Sequence, residues 1–207
     1  AQGKTSLLES IFYLSTFTSF HTQNSRQLIN FGAAEENLAV ARIEAEFQRG
    51  QQAHRLEVRL IKEPNGYDKE RFRKEILLDS VHKTAQEALG YFNAVLFLPQ
   101  MTRIIEGGPE ERRRYLNLAI SQAFPDYAAA LSEYSQVITQ RNALLKQLAE
   151  RGGDKGQLVY WDEMLAKRAA QIIYQRVHAL AELEIHARKI HSRLTGDQEV
   201  LRLEYLP

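Results

Sequence analysis

The sequence predicts an α/β protein in which a sheet-containing lobe, residues 1–108, precedes a long helical arm, residues 109–195. Residues 39–78 alternate between apolar and polar side chains, with the two-residue period of half-buried strands. Residues 109–194 instead repeat apolar side chains at spacings of three and four, as amphipathic helices do. The final segment, residues 196–207, resumes an alternating pattern and is expected to form a return strand.

The composition excludes several classes of protein. The 207 residues are 44% hydrophobic, which is enough for a sizeable core and excludes disorder of the whole chain. The formal net charge is +1, so any nucleic-acid site has to be a local patch. The absence of cysteine excludes a disulfide scaffold and a thiolate metal site. No apolar stretch approaches the roughly 20 residues that cross a bilayer, so we expect a soluble protein without membrane contact.

The first element is a helix over residues 5–14. Its apolar residues are spaced for one broad buried face: Leu7, Leu8, Ile11, Phe12 and Leu14. Residues 15–32 are polar and irregular and predict a surface loop with a helical turn near residues 26–29.

Three strands follow and predict an antiparallel meander. In the first, residues 39, 41, 43, 45 and 47 are apolar, and in the second Leu56, Val58 and Leu60 share a face. The turn Pro64-Asn65-Gly66 precedes the third, which covers about 69–78. The continuous apolar run NAVLFL at 93–98 predicts a further strand, buried on both faces in a central sheet.

The arm begins at Pro109, which suits the first position of a helix. A heptad seam follows, made of Tyr127, Leu131, Tyr134, Ile138, Arg141, Leu145 and Leu148. After a glycine-rich break at residues 152–156, a second seam contains Leu158, Trp161, Leu165, Ala169, Ile172, Val177, Leu180, Ala187 and Ile190. Two helices joined by a short turn predict an antiparallel hairpin, with Arg141 fixing the helix register.

The first six residues, AQGKTS, match the second half of a P-loop. Ala1, Gln2, Gly3, Lys4, Thr5 and Ser6 are therefore the candidate nucleotide-binding residues. Glycine allows the tight turn that points N–H groups at a phosphate, lysine supplies a cation, and the Thr5 hydroxyl can bind Mg²⁺. The alternative is an ordinary helix N-terminus with a threonine near its cap. Because the chain starts inside this motif, we expect it to be a fragment.

Two basic segments are weaker candidates. Successive helical residues point about 100° apart, so Arg112, Arg113 and Arg114 do not form one patch, and Arg112 is the better phosphate candidate. The segment 62–74 combines basic residues with Tyr67 and Phe72 and either binds a phosphate backbone or is a solvated hairpin. The spacing of the histidines in the last helix does not indicate a metal site.

Several separated segments together resemble the RecF family of DNA replication and repair proteins. They are AQGKTSLLESIFYL at the start, SFHT at 19–22, NAVLFLPQMTRIIEGGPEERRRYLNLAI from residue 93, and TQRNALLK at 139–146. The resemblance covers most of the chain. It implies a partial ABC-ATPase-type head, with a P-loop and a mostly antiparallel sheet, and an inserted α-helical antiparallel hairpin arm. Such heads are related to those of structural-maintenance-of-chromosomes proteins.

The resemblance also implies a function and its partners. Proteins of this family bind ATP and Mg²⁺, form a homodimer with ATP, and bind single-stranded, double-stranded and gapped DNA. With RecO and RecR they help to load RecA at single-strand gaps in the cytoplasm. Their ATPase activity is weak and serves as a switch.

Particular residues carry these expectations. Lys4 and Thr5 correspond to the phosphate and Mg²⁺ contacts, and Gln100 occupies a junction comparable to that of the catalytic glutamine of ABC heads. The family's SFRT segment has His21 in place of its arginine, so His21 and Arg26 join Arg112 as DNA-binding candidates. The signature and Walker B segments are expected beyond Pro207, and a fragment without them is expected to be inactive.

Three other functions fit parts of the sequence. One is another P-loop ATPase of the structural-maintenance-of-chromosomes type. A second is a small-molecule kinase, against which the long heptad hairpin argues. A third is a coiled-coil adaptor in which GKTS occurs by chance, against which the extensive α/β lobe argues.

Overall fold

The computed structural model describes residues 3–22, 24–34, 38–64 and 70–206. The chain divides into two compact units, Ala1–Leu118 and Ala119–Pro207. This division differs from the expected boundary at 108/109, and the assignment of residues 1–108 to a head and 109–195 to an arm stays a prediction. Among the described residues, no helix combines the length and the apolar character of a membrane span.

The first unit contains a four-stranded antiparallel sheet. Its strands are β1 (Ala39–Arg49), β2 (Gln52–Pro64), β3 (Glu70–Leu78) and β4 (Val81–Lys83), in the order β1-β2-β3-β4. The predicted meander is thus confirmed, and β4 is an addition that is too short to give a pattern. Asn65 and Gly66 of the predicted turn, and Tyr67, lie outside the described residues.

The register of the sheet stacks apolar residues on one face. Val58 of β2 lies opposite Ile43 of β1 and Ile76 of β3. Leu56, Val58 and Leu60 are completely buried. Because paired residues point to the same face, these side chains form the floor of the core.

Helix α1 (Lys4–Thr16) covers that floor with only half of its length. Phe12, Tyr13 and Leu14 are buried, whereas Leu7, Leu8 and Ile11 of the predicted face are exposed. The C-terminal half of α1 therefore anchors the helix in the core. Its N-terminal half, which carries the candidate nucleotide-binding residues Lys4, Thr5 and Ser6, is exposed.

Short elements connect the sheet to the longer helices. They are a 3₁₀ turn (Ser25–Leu28), α2 (Phe31–Ala34), α3 (Ala85–Ala88), a second 3₁₀ turn (Pro99–Thr102) and α4 (Arg103–Glu106). The first 3₁₀ turn confirms the helical turn expected near residue 26. Helix α3 begins with a capping box between Thr84 and Glu87, a pattern that the sequence contains.

The expected buried strand at 93–98 is wrong. No described strand pairs with this segment, and the side chains of Val95 and Phe97 are 100% and 84% exposed. Ala94, Leu96 and Leu98 are half-buried, so the exposure of the segment alternates as in a strand, but the segment is not part of the sheet that the structure describes. An apolar run indicates a capacity for burial and does not supply the neighbour that a strand needs.

Three long helices follow: α5 (Pro109–Ala123), α6 (Pro125–Arg151) and α7 (Gln157–Thr195). Helices α6 and α7 form the predicted hairpin. Gly152 and Gly153 have φ angles of 70° and 133°, which side-chain-bearing residues rarely adopt. This requirement explains the glycine-rich break.

The hairpin seam differs from the prediction at three residues. On α6, Leu145 is exposed and Leu144 faces inward instead. On α7, Val177 and Ile190 are exposed. Residues spaced by a strict heptad shift gradually around a straight helix, because the helix has 3.6 rather than 3.5 residues per turn. After several turns, the positions that the heptad predicts are therefore no longer on the buried face.

Polar side chains occupy the inward face of the second half of α7. Arg176 donates hydrogen bonds to the hydroxyls of Tyr127 and Tyr205, both at 2.9 Å. Glu184 accepts the backbone N–H of Leu203 at 3.1 Å. Residues 199–206 therefore lie alongside α7. They are not in a strand in the described chain, and the return strand expected at 196–207 stays a prediction.

Candidate functional site

The described part of the P-loop motif begins at Gly3. This residue precedes α1 with φ 72° and ψ 4°, a left-handed conformation that glycine adopts without steric cost. The N–H of Leu7 donates to the Gly3 carbonyl at 2.9 Å and starts the helix. Ala1 and Gln2 lie outside the described residues.

The first turn of α1 is arranged to favour an anion. Lys4, Thr5 and Ser6 are all exposed, and the turn contains no acidic residue. Among the residues that the structure describes, no side chain caps the N-terminus of this helix. The helix dipole, the first backbone N–H groups and the Lys4 ammonium can therefore act together on a phosphate, with the Thr5 hydroxyl close by for Mg²⁺.

The SFHT segment is attached to the same helix. The Ser19 hydroxyl donates to the Glu9 carboxylate of α1 and accepts the N–H groups of His21 and Thr22 at 2.9 and 3.0 Å. The Phe20 ring lies edge-on to Phe12, with centroids 5.7 Å apart. Helix α1 thus positions both the P-loop residues and the backbone of His21.

The three DNA-binding candidates occupy different places within the first unit. His21 is exposed, and its ring centroid lies 4.4 Å from that of Phe20. Arg26 is exposed, with its guanidinium 5.8 Å from the centroid of Phe72 on β3. Arg112 donates to the backbone carbonyls of Ile104 and Ile105 at 3.1 and 2.9 Å. A DNA contact by any of the three stays a prediction.

The three consecutive arginines of α5 have different surroundings, as expected for successive residues of a helix. Arg112 fastens the end of α4, and Arg113 pairs with Glu110 at 3.0 Å. Arg114 instead lines a polar cleft of about 490 Å³ together with Lys74. Arg112 and Arg113 have different partners and Arg114 lines a cleft, so the three residues have separate surroundings and do not form one patch.

The polar cleft was not predicted from the sequence. Four hydroxyl side chains line it: Thr18, Ser19, Thr22 and Ser25. Beside it, Lys74 donates to the Phe17 carbonyl at 2.9 Å, which satisfies the end of α1. The hydroxyl-rich loop was visible in the sequence, but its approach to β3 depends on tertiary contacts.

Gln100 lies in the 3₁₀ turn between Pro99 and Thr102. Its side chain is outside the described part of the structure, so its catalytic role stays a prediction. Within the described residues, no three histidine or carboxylate side chains are grouped in a way that could hold a metal ion.

The outer face of the sheet carries a paired charge network. Glu57 is 6% exposed and accepts hydrogen bonds from Arg42 at 2.5 Å and Arg59 at 2.6 Å. The hydrogen bonds from Arg42 and then Arg59 lower the pKa of the Glu57 carboxyl to about 2. The bond to Glu57 raises the pKa of both arginines. The Glu57 carboxylate balances the positive charge of these arginines, so they are poor candidates for binding an anionic ligand.

Comparison with known proteins gives consistent matches. No family model matches the chain. The chain is 34% identical over 215 residues to the DNA replication and repair protein RecF of Herpetosiphon aurantiacus, with 100% of the chain and 56% of that protein covered. It is 36% identical over 208 residues to RecF of an Exiguobacterium species, with 100% of the chain and 52% of that protein covered. The chain thus spans about half the length of these relatives.

Two solved structures have the same fold. One is the recombination mediator protein RecF with ATPγS in the RecFOR pathway, with a TM-score of 0.77 and 30% identity over 95% of this chain and 50% of that one. The other is RecF with ATP, with a TM-score of 0.74 and 28% identity over the same shares. They confirm the predicted fold class, including the antiparallel sheet. Both proteins were solved with an adenine nucleotide.

Proposed function

We propose that this chain forms the P-loop side of an ATP-switched DNA-binding protein of DNA replication and repair. The chain is similar to RecF in sequence over all of its residues and in fold over 95% of them. The observation that carries the proposal is the open N-terminus of α1. Gly3 is left-handed there, and Lys4, Thr5 and Ser6 are exposed without an acidic neighbour in the first turn. That arrangement suits the triphosphate of ATP.

ATP and Mg²⁺ are the cofactors of the proposed protein. Lys4 would contact the β and γ phosphates, the N–H groups around Gly3 would contact phosphate oxygens, and Thr5 would bind Mg²⁺ through its hydroxyl. Gln100 would orient the water that attacks the γ phosphate. Two solved RecF proteins that the chain resembles hold ATP or ATPγS, which supports the nucleotide.

The intact protein is proposed to close as an ATP-bound homodimer on DNA. Its targets are single-stranded, double-stranded and gapped DNA in the cytoplasm, with His21, Arg26 and Arg112 as contact candidates. RecO and RecR are the proposed partners in loading RecA, a role that fits the RecFOR pathway of the solved relatives. ATP hydrolysis is proposed to be slow and to reset the dimer.

The test is Lys4→Ala in the intact protein, with Lys146→Ala on α6 as the matched control, because the Lys146 side chain is 78% exposed. Binding of a fluorescent ATP analogue and of gapped and duplex DNA would be measured with and without ATP and Mg²⁺, at two salt concentrations. Loss of a charge-assisted phosphate contact should weaken ATP binding by roughly tenfold or more. The ATP-dependent part of DNA binding should disappear, while circular dichroism remains unchanged. Unchanged ATP binding in Lys4→Ala would refute the proposal.

A further inference from the structure

A second cleft, of about 220 Å³, lies where the first 3₁₀ turn and α2 meet the β2–β3 hairpin. Three of its lining residues are cationic and three are apolar: Arg26, Lys62 and Arg71, then Ile29, Phe31 and Phe72. None of the described lining residues is acidic. The cleft thus combines positive charge with aromatic rings.

The backbone around the cleft is fixed on both sides. Ile29 is buried, and the Asn30 side chain accepts the N–H of Gly32 at 2.9 Å, which sets the start of α2. On the other side, Lys62 lies opposite Phe72 in the β2–β3 register. Arg26 joins the two sides because its guanidinium lies 5.8 Å from the Phe72 ring.

Phe31 lies at the edge of the cleft and is not among the buried core residues of the described structure. Its side chain is 81% exposed, although Ile29 two residues earlier is in the core. An isolated exposed apolar residue needs no explanation, but this ring stands at the edge of a cationic cleft. Such a ring is suited to stack against a flat ligand.

The arginines of the cleft also differ from those of the neighbouring sheet face. Arg42 and Arg59 bond to Glu57 at 2.5 and 2.6 Å. Arg71 has a side chain that is 63% exposed, and its ion pair with Glu63 has a long separation of 3.9 Å. A guanidinium in this state retains most of its capacity to bind a phosphate.

We propose that this cleft binds a single-stranded segment of nucleic acid, with Arg26, Lys62 and Arg71 on consecutive phosphates and Phe31 stacked on a base. This assignment rests on the proposed DNA-binding function and adds a surface to it that is separate from the P-loop. Single strands are favoured over duplex because only an unpaired base offers its face to a side chain. An acidic peptide could use the three cations, but it would gain nothing from the ring.

The stacking part is tested with Phe31→Ala in the intact protein, beside Phe97→Ala as the matched control because Phe97 is 84% exposed elsewhere in the same unit. Fluorescence anisotropy, with ATP and Mg²⁺ present, would compare a short oligothymidylate with an abasic strand that has the same number of phosphates. Phe31→Ala should weaken oligothymidylate binding by about tenfold and leave abasic binding nearly unchanged. Phe97→Ala should change neither.

The electrostatic part is tested with Arg71→Ala, beside Arg193→Ala on the exposed surface of α7. Arg71→Ala should weaken both strands and reduce the dependence of log K on log salt by roughly 0.7, because one phosphate contact is lost. Arg193→Ala should leave both strands and the salt dependence unchanged.

The outcomes separate this inference from the proposed function. If both cleft variants bind the two strands normally while binding of the fluorescent ATP analogue persists, the cleft assignment is overturned and the P-loop proposal remains. If Arg71→Ala weakens binding but Phe31→Ala does not, base stacking is absent and the single-strand assignment fails. If Lys4→Ala retains ATP binding while the cleft variants lose DNA binding, the P-loop proposal fails and the cleft stands.

Discussion

The first unit, here called the sheet unit, and the helical hairpin of α6 and α7 bury their apolar side chains to different extents. In the sheet unit, Tyr13 of α1 and Leu56, Val58 and Leu60 of β2 are completely buried in one cluster. The hairpin is only two helices thick, and most of its seam residues are half-buried. Stability in the sheet unit therefore comes from a continuous apolar core, whereas two helices alone cannot fully enclose their seam.

Polar contacts between segments supplement the thin seam of the hairpin. Arg141 of α6 bonds to Asp162 of α7 at 2.5 Å, and Arg168 of α7 pairs with Glu133 of α6. Burial raises the pKa of the Tyr127 hydroxyl, an effect that Arg176 partly opposes. Burial also opposes the charge on Arg176, but its bonds to Tyr205 and Tyr127 leave the pKa of the guanidinium raised. The hairpin should tolerate apolar losses better than the sheet unit does.

The largest expected effect is therefore a cavity in the sheet core. Leu60→Ala removes a fully buried side chain and should lower the free energy of unfolding by about 2–5 kcal/mol. The matched change in the hairpin is Leu165→Ala, whose side chain is half-buried. Leu165→Ala should lower the free energy of unfolding by about half as much as Leu60→Ala, because solvent already reaches the side chain of Leu165.

Urea unfolding of the 207-residue chain can follow the two units separately. Trp161 is the single tryptophan and lies on α7, so its fluorescence reports the hairpin, while circular dichroism reports both units. Leu60→Ala should shift the circular dichroism transition more than the fluorescence transition. Equal losses from Leu60→Ala and Leu165→Ala would show that the two units do not differ as described.

A smaller effect is expected from the charge network of the sheet. Its hydrogen bonds lower the pKa of Glu57 from an ordinary value of 4.5 to about 2, so the folded state favours the ionised carboxylate. The resulting stability is fully present above about pH 4.5 and is lost as the pH falls towards 2. Glu57→Gln should cost about 1–2 kcal/mol near neutral pH, since solvent screens the half-exposed arginines.

The pH dependence isolates this contribution. The difference in unfolding free energy between the unmodified chain and Glu57→Gln should shrink as the pH is lowered from 4.5 towards 2. Other carboxyls, such as Asp79 and Glu87, also have lowered pKa values but titrate in both proteins. A difference that stays constant with pH would contradict the assigned network.

The sequence predicts elements well where one local pattern decides the structure. Strict alternation defines β1 and β2, and the glycine-rich break at 152–156 defines the hairpin turn. The prediction failed at 93–98 because a strand requires a partner that composition does not name. It failed at Leu145 because the inward face of a long helix drifts relative to a fixed heptad.

The same distinction applies to the candidate site. Lys4 and Thr5 belong to a contiguous motif, and the structure places them at an open helix N-terminus. The cleft proposed to bind a single strand is lined by Arg26, Lys62 and Arg71. Arg26 is distant in sequence from the other two, and only the fold brings the three residues together. The attachment of Arg112 to two carbonyls of α4 is likewise a tertiary contact without a sequence signal.

The smallest expected effect concerns the register of the hairpin. Arg141 and Asp162 are 29% and 50% exposed, so a double-mutant cycle with alanine at both positions should give a coupling energy of about 0.2–1 kcal/mol. The control pair is Lys146 and Glu150, whose Nζ and Oε1 atoms are 3.8 Å apart. Both residues lie on α6, so their ion pair does not connect the two helices. Their coupling should be about 0.3–0.5 kcal/mol.

Stability alone does not reveal a register role, since a leucine at position 141 would extend the apolar seam. Arg141→Leu should keep or raise the free energy of unfolding and yet broaden the pairing of α6 with α7. Spin labels at the exposed Gln140 and Glu163 would report that pairing as a distance distribution. A distribution as narrow as that of the unmodified sequence would assign the register to the short glycine turn instead, and Arg141 would be only a weak ion pair.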